Sequence, residues 1–490
     1  MDVDGLLRSL TKDAGLPSVR ATWFERYIKS PITFWCDIHV PVDMQDALDS
    51  FVTLLNERGL DHQSDVIAES YPDAVEEEFY GEEEGFRRTL ELMAAGEKFI
   101  MNMPLICRTI GLEGRPDVLV RVDDIPSDFG DYSYGVVEIK STRHISEAHT
   151  LQGAVYNRML GNVQGYEPDE FYIINGDRSE KIVQAASVAD KLDAVLEEVR
   201  MVLDGAVVDP CFGAGESPWH SYVNAMAIQN DDVSLLPGVG GARRANLFAF
   251  GFKTVDDVAS ADEPALVKVK GVGGSTAKTI KSAAQSLQRK APIRRDRTPE
   301  IRRGSTEVFF DLEGADPGAE GEGLSVVNYL IGSVVRTPSH QATFEPFFAP
   351  TPRDEERVLR EFFNWASNLD DPVFYHWHHY EKTHLTKMTN HYGLPEEQVA
   401  WVMDRLVDLS PITTSSFAFP CYGRGLKDIA KCLGFAWRQD DVNALMSVVL
   451  YLEYVKSGAT DAEPRQKILD YNEDDCLATM HVFDWLLAQD

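Results

Sequence analysis

Three stretches, GRPDVLVRV (114–122), YGVVEIKST (134–142) and QGAVYNRML (152–160), decide how the first part of this chain is read. Asp117 opens an apolar, β-branched run from Val118 to Val122, and a second run extends from Tyr134 to Lys140, so both read as strands. The alternation of a strand puts Glu138 and Lys140 on one face. If the strands pair, Asp117 and Glu138 converge with the Ile139 carbonyl as hard oxygen donors of the kind Mg²⁺ and Mn²⁺ take. Lys140 then stands beside a scissile phosphate, placed to orient a metal-acidified water or to offset charge building on phosphorus. Gln152 and Tyr156, four apart in the helical stretch that follows, share a face and reach back to the same point. An isolated Glu-x-Lys is most often a surface ion pair on an ordinary sheet, but five positions in this order point to a metal-dependent phosphodiesterase.

In that order the residues resemble the RecB-like branch of the PD-(D/E)XK nucleases, over roughly residues 20 to 215. The resemblance implies a restriction-endonuclease-like mixed-sheet domain with Asp117 and Glu138 on a metal and Lys140, Gln152 and Tyr156 in catalysis. Through RGLDHQSDVI (58–67) it also implies His62 as a further metal ligand or phosphate contact. Some relatives carry four cysteines that hold an iron–sulfur cluster, and here the chain departs from them. Cys36, Cys107, Cys211, Cys421, Cys432 and Cys476 are scattered without a C-x-x-C pair, and FGAGESPWHSY (212–222) adds no thiolate beside Cys211. A cluster normally needs four, so none is expected and the thiols read as reduced.

With 490 residues, 44% of them hydrophobic, the chain can bury several cores, and its length suggests about three domains. No signal peptide or long apolar segment is evident, which implies a cytoplasmic protein with no membrane partner. The net charge of −32 taken alone argues against nucleic acid, because phosphate binding normally rests on a basic footprint. The acids are nevertheless dispersed, with short runs at Glu76–Glu78 and Glu82–Glu84, as suits a cytoplasm at very high salt where surface charges are screened.

An internal repeat follows. LLPGVGGARRANLFAFGFKTVDDVASAD (235–262) is echoed by LVKVKGVGGSTAKTIKSAA (266–284), with Gly238-Val239-Gly240 recurring as Gly271-Val272-Gly273. Each reads as two short helices joined by a tight glycine hairpin. Two such units resemble a tandem helix-hairpin-helix domain, about Asp231 to Gln288. Glycines there let a backbone approach a phosphate closely, and amides at the second helix's start donate to its oxygens without a cationic side chain. Gly238, Gly240, Gly271 and Gly273 are the candidate nucleic-acid contacts, with Arg243, Arg244, Lys278 and Lys281 as supporting cations. Absence of a Gly-Lys-Ser/Thr ending disfavours a nucleotide loop, whereas a structural turn stays open for one hairpin. LQRKAPIRRDRTPEIRRGS (287–305) then reads as an extended basic linker, whose Arg294, Arg295, Arg297, Arg302 and Arg303 either guide a strand or are merely solvated.

The last third opens with VFFDLEG (308–314), carrying Asp311 and Glu313 on one face of a strand, and VNYLIGSVV (327–335) follows as its hairpin partner. This Asp-x-Glu resembles the first motif of RNase H-like, DnaQ-type exonucleases. PVFYHWHHYEKTHL (372–385) fits that fold's second motif, with Glu381 in place of the usual Asp. RGLKDIAKCLGF (424–435) resembles the helix before the last motif, and ILDYNEDDCLATMHVF (468–483) places Tyr471 and Asp475 one helical turn apart. The resemblance implies two cations held by Asp311, Glu313, Glu381 and Asp475, with Tyr471 positioning the attacking water. Glu381 carries an extra methylene, and a misplacement of an ångström can cost about a hundredfold in rate. His376, His378 and His379 either compensate or are surface residues. The alternative is an acidic domain whose carboxylates face solvent, yet Asp311, Glu313 and Asp475 lie in apolar frames where an unpaired charge is costly.

The expected architecture is an α/β multidomain chain: a RecB-like domain at 1–220, an all-α helix-hairpin-helix domain at 221–288, a basic linker at 289–305 and an RNase H-like α/β domain at 306–490. The expected activity is Mg²⁺- or Mn²⁺-dependent cleavage of DNA, single-stranded or end-exposed, in repair or recombination. An RNA-directed nuclease and a DNA-binding protein with a degenerate C-terminal site are the alternatives. The dispersed acid predicts that dialysis from molar into dilute salt abolishes the cooperative melting transition; an unchanged melting curve in dilute buffer rules out adaptation to high salt.

Overall fold

The computed structural model describes residues 1–47, 60, 62–315, 326–338, 340–439 and 442–489. It divides into two compact units, Met1–Met226 and Ala227–Asp490. The fold is mixed α/β and multidomain, with an all-α helix-hairpin-helix region and an RNase H-like sheet in the second unit.

The first unit is built on a five-stranded mixed sheet in the order Phe99–Met101, Val118–Ser127, Gly130–Ile139, Glu170–Ile174, Glu180–Gln184. The two expected strands pair antiparallel, Val118 opposite Val137, which places Asp117 beside Glu138. Helix Glu147–Gln164 packs against this sheet and begins with a reciprocal cap: the Ser146 hydroxyl accepts from the His149 amide at 3.2 Å, and the His149 ring accepts from the Ser146 amide at 3.3 Å. The helix is buried on nearly every side, so its polar residues need partners inside the protein. Gln164 accepts from the Tyr134 amide at 2.8 Å and donates to the Tyr134 carbonyl at 3.0 Å, and Asn157 donates to the Pro168 carbonyl. Each such group left unpaired would cost about 1–3 kcal/mol.

In the second unit the repeat is a structural repeat. Val239 donates its amide to the Leu236 carbonyl and Val272 donates to Val269, closing the same turn twice. Gly238 and Gly271 take φ of 74° and 82°, the left-handed region. Gly240 and Gly273 cap the helices Gly241–Ala249 and Gly274–Arg289. Residues 289–305, read as an extended basic linker, include a short strand and anchored arginines. Ile293–Arg294 pairs antiparallel with Phe417–Ala418, and the Arg295 side chain bonds the Ser282 hydroxyl and the Thr279 and Thr414 carbonyls. Arg294 donates to Gln489 and Arg302 to Asp404, while Arg303 pairs with Glu307. Backbone carbonyls at strand and helix ends take up these cations, a sink that composition does not reveal.

The C-terminal sheet runs His340–Phe348, Val327–Thr337, Thr306–Ala315, Pro372–His376, Leu406–Asp408; the first two pairings are antiparallel, the last two parallel. Asp311 faces Gly332 across the central pair. A Cβ at Gly332 would lie 1.6 Å from Asn472 Oδ1, so only glycine leaves room for Asn472 on helix Ala462–Leu487 to reach Asp311. Gly332→Ala is therefore expected to cost about 1–3 kcal/mol by overpacking, measured as a lower midpoint of urea unfolding; an unchanged midpoint contradicts the fit.

Candidate active sites and nucleic-acid interface

In the first unit Asp117 enters its strand opposite Glu138, and each carboxylate is gripped by backbone at the other's position. Asp117 Oδ2 accepts from the Ile139 amide at 2.6 Å, and Glu138 Oε1 accepts from the Asp117 amide at 3.3 Å. Lys140 Nζ stands 3.4 Å from Glu138 Oε2 and donates to Gln152 Oε1 at 2.7 Å, and Gln152 Nε2 lies 3.4 Å from the Tyr156 hydroxyl. The five positions thus form one connected cluster. Gly114 belongs to it sterically, since a Cβ there would sit 2.7 Å from the Tyr156 ring. Glu138 is 1% exposed, and burial followed by repulsion from Asp117 pushes its pKa up to about 8. Burial also raises Asp117. Burial alone would lower Lys140, but Glu138, Asp117 and Glu25 outweigh it and keep the ammonium charged. Burial raises Tyr156 well above its usual value, so it stays a phenol.

At the expected His62 the contact to these carboxylates that is seen comes from its neighbour. His62 Nε2 is buried without a hydrogen bond, while the next residue, Gln63, donates to Asp117 Oδ1 at 2.7 Å and to Asn102 Oδ1 at 3.2 Å. Of the motif around it, Arg58, Gly59 and Asp61 lie outside the described residues. Sequence reading also missed Glu25, which lies 4.0 Å from Lys140 Nζ and 3.5 Å from His149 Nε2. Glu25 is held well below the usual carboxylate range, first by His149, with burial opposing and Lys29 and Lys140 assisting. No motif marks it, because it comes from helix Ala21–Lys29, far away in sequence.

In the second unit Asp311, Glu313 and Asp475 bring ligand oxygens within 4.8 Å of one another. Asp311 and Glu313 share a face of the central strand, and Asp475 comes from helix Ala462–Leu487. Asn472 Nδ2 donates to Asp311 Oδ2 at 2.8 Å, and the Trp437 indole donates to Asp475 Oδ1 at 2.7 Å. Burial raises all three acids; the other carboxylates raise Asp311 and Glu313 further, and Asp475 reaches about 6 with Trp437, Lys427 and Tyr471 holding it down. Tyr471 is raised, first by burial, and hydrogen-bonds Asp475 as a phenol. Lys427 Nζ lies 4.6 Å from the centre of the Tyr471 ring.

Glu381 adjoins the triad beside Asp311. It is 3% exposed, lies 3.2 Å from His376 Nδ1, and its carboxyl neighbours that of Asp311 and raises the Asp311 pKa. Burial pushes its pKa up to about 8. His376 is buried against it, whereas His378 and His379 are exposed. Asn472, Trp437 and Lys427 escaped sequence reading; Lys427 and Asn472 sat inside quoted motifs, and their polar character beside an acid was the available signal.

At the hairpins, a Cβ added to Gly240, Gly241, Gly273 or Gly274 would meet nothing within 4 Å. The open space faces the amides that start two helices, where an anion is favoured. Arg243 ties the hairpins together, its Nε donating to the Gly271 carbonyl at 3.0 Å and its Nη1 to the Gly238 carbonyl. Lys278 pairs with exposed Asp296 at 3.2 Å. Arg244 is half-buried and paired with buried Asp232 at 2.7 Å.

Residues 308–487 match a family model described as RNase_H superfamily, and residues 231–286 match one described as SAM-like helix-hairpin-helix tandem. No curated protein matches the chain. The chain therefore carries an RNase H-superfamily domain preceded by a tandem helix-hairpin-helix domain of the kind that binds nucleic acid.

Proposed function

We propose that this chain is a divalent-metal-dependent nuclease that cleaves DNA phosphodiester bonds, with strands or ends exposed by repair or recombination as its substrate. The observation that carries the reading is the triad of half-buried Asp311 and buried Glu313 and Asp475, whose carboxylates converge within 4.8 Å of one another. Such a set fits Mg²⁺ or Mn²⁺, hard cations bound by carboxylate oxygens. A bound cation there supplies Lewis acidity and an acidified water. The chain's own residues do the rest: Asn472 and Trp437 fix the orientation of two carboxylates, and Tyr471 offers a phenol beside the attacking position. The hairpin amides hold the sugar-phosphate backbone without reading its sequence.

The first unit supports a second site of the RecB-like PD-(D/E)XK kind. There Asp117, Glu138 and the Ile139 carbonyl would hold the metal, and Gln63 orients Asp117. Lys140, aligned by Gln152 and Glu138, places a charged ammonium at the reacting phosphate. A narrower version, in which only this site turns over, rests on Glu381, a glutamate where the resemblance has an Asp, whose carboxyl is engaged by His376 and neighbours Asp311.

Digestion of end-labelled single- and double-stranded DNA with Mn²⁺, with labelled RNA as competitor, tests the reading through Lys140→Ala, Asp311→Ala and the double variant. Each site is expected to lose on the order of 10²–10³-fold or more in rate, and the double variant to be inactive; wild-type cleavage by the double variant refutes the assignment. Loss in Lys140→Ala alone selects the narrower version, and preferential cleavage of RNA replaces DNA as substrate.

The raised acids give a second expectation. Glu138, Glu381 and Asp475 have folded pKa values of about 8, 8 and 6, above their unfolded values. Between those limits the folded chain holds more protons than the unfolded one, so stability falls as pH rises. The melting temperature of protein treated with chelator should drop from about pH 5 to about pH 8, and Mn²⁺ should restore it more at the higher pH. A stabilisation by Mn²⁺ that is independent of pH contradicts metal binding at these carboxylates.

A further inference from the structure

Around the first hairpin the second unit gathers three guanidinium groups that no carboxylate answers. Arg243 Nη1 lies 3.3 Å, and Arg424 Nη2 3.9 Å, from the point where a Cβ on Gly238 would sit, so two cations meet at one glycine. Arg295 is close enough to Arg424 for their charges to repel, and burial with that repulsion brings its pKa down to about 10. Burial lowers Arg424 as well, although its side chain is exposed at the surface. Among the described residues none of the three forms an ion pair. Arg243 and Arg295 use their donors on backbone carbonyls and a hydroxyl, and Arg424 has no hydrogen bond among the described residues. In a chain with 79 acids against 47 basic residues, unanswered guanidiniums side by side are a local reversal of the prevailing charge. Like charges held together without a counter-ion cost free energy, which an incoming anion recovers.

We propose that Arg424, presented by the RNase H-like domain, completes a phosphate-binding site with the Gly238–Gly241 hairpin and Arg243, so that one nucleic-acid backbone is held jointly by both domains. The proposal rests on the reading of the hairpins as nucleic-acid contacts and adds a residue from outside them. The occupant is a phosphate diester: the open glycine amides accept an oxygen closely, and guanidinium matches phosphate with paired donors. The site also gives the strand a direction. Lys427, three residues after Arg424, stands beside Tyr471 and lowers Asp475. Three residues span at most about 10 Å, on the order of three phosphates of one strand of B-form DNA. A strand seated at Arg424 is thereby delivered to the triad of Asp311, Glu313 and Asp475 within a few nucleotides.

Binding of a fluorescein-labelled single-stranded oligonucleotide to the full chain, followed by anisotropy in EDTA over a range of KCl, tests this. Arg424→Ala should weaken binding and reduce the slope of log Kd against log salt by about one phosphate contact, and Arg424→Lys should keep most of that slope. Arg353→Ala removes the same charge from an exposed turn and should leave the slope unchanged. A wild-type slope in Arg424→Ala overturns the proposal, and an equal loss in Arg353→Ala also overturns it, as a general effect of charge. Gly240→Asp, which sets a carboxylate in the hairpin, separates the underlying reading: if it binds as wild type does, the hairpins are not the contact, whereas weakening by Gly240→Asp with no effect of Arg424→Ala overturns the joint site alone.

Discussion

The constraint on which the second unit turns is the repulsion among Asp311, Glu313 and Asp475. Three carboxylates whose oxygens lie within 4.8 Å in a desolvated pocket cannot all be ionised without a cation between them. The fold accepts this cost and arranges its neighbours to direct it rather than relieve it. Trp437 donates a neutral hydrogen bond to Asp475, and Asn472 does the same for Asp311. Neither brings a full positive charge into the pocket. Gly332 exists to admit Asn472, so a residue of the neighbouring strand is chosen by the electrostatics of the site.

The first unit meets the same repulsion differently. Asp117 and Glu138 press on each other, but Lys140 sits 3.4 Å from Glu138, so one internal cation is already present. That ammonium is itself shared, with Gln152 fixing its direction and Glu25 adding a more distant charge. A cation fixed on one side leaves the two carboxylates free to share another on the opposite side. At the C-terminal triad Lys427 acts on Asp475 from beside the Tyr471 ring.

What the sequence made legible follows the reach of local pattern. The alternation through Glu138 and Lys140 and the apolar frame of VFFDLEG gave strands and faces that the sheets reproduce, because a strand's period depends only on neighbouring residues. The glycine repeat was legible for the same reason, and Gly238 and Gly271 share one turn geometry. Residues brought in by tertiary approach were not legible. Gln63 meets Asp117 across 54 positions, and Trp437 meets Asp475 across 38. Helix Glu147–Gln164 is buried on nearly every side, so no amphipathic stripe told its polar anchors from its surface. In the basic stretch 289–305 the sequence left the fate of the arginines open because Pro and Arg are shared by linkers and by edge strands, and the carbonyls of Thr414 and Ser416 are what Arg295 meets.

An acidic chain that holds a polyanion has to keep its charge away from the contact. On the proposed reading the hairpins do this by using amides, whose dipoles attract phosphate without salt-sensitive cations. Where cations are used, carboxylates must be excluded from them, and Arg244 and Lys278 show the ordinary outcome, each drawn into a pair with a nearby Asp. Arg243 escapes because both of its ends are occupied by glycine carbonyls, which orient the guanidinium without cancelling its charge. A guanidinium bonded to carbonyls keeps its full field, whereas one bonded to a carboxylate loses most of it. In a molecule with a net charge of −32, the choice of uncharged partners for a few arginines therefore does more for phosphate recognition than the total number of basic residues.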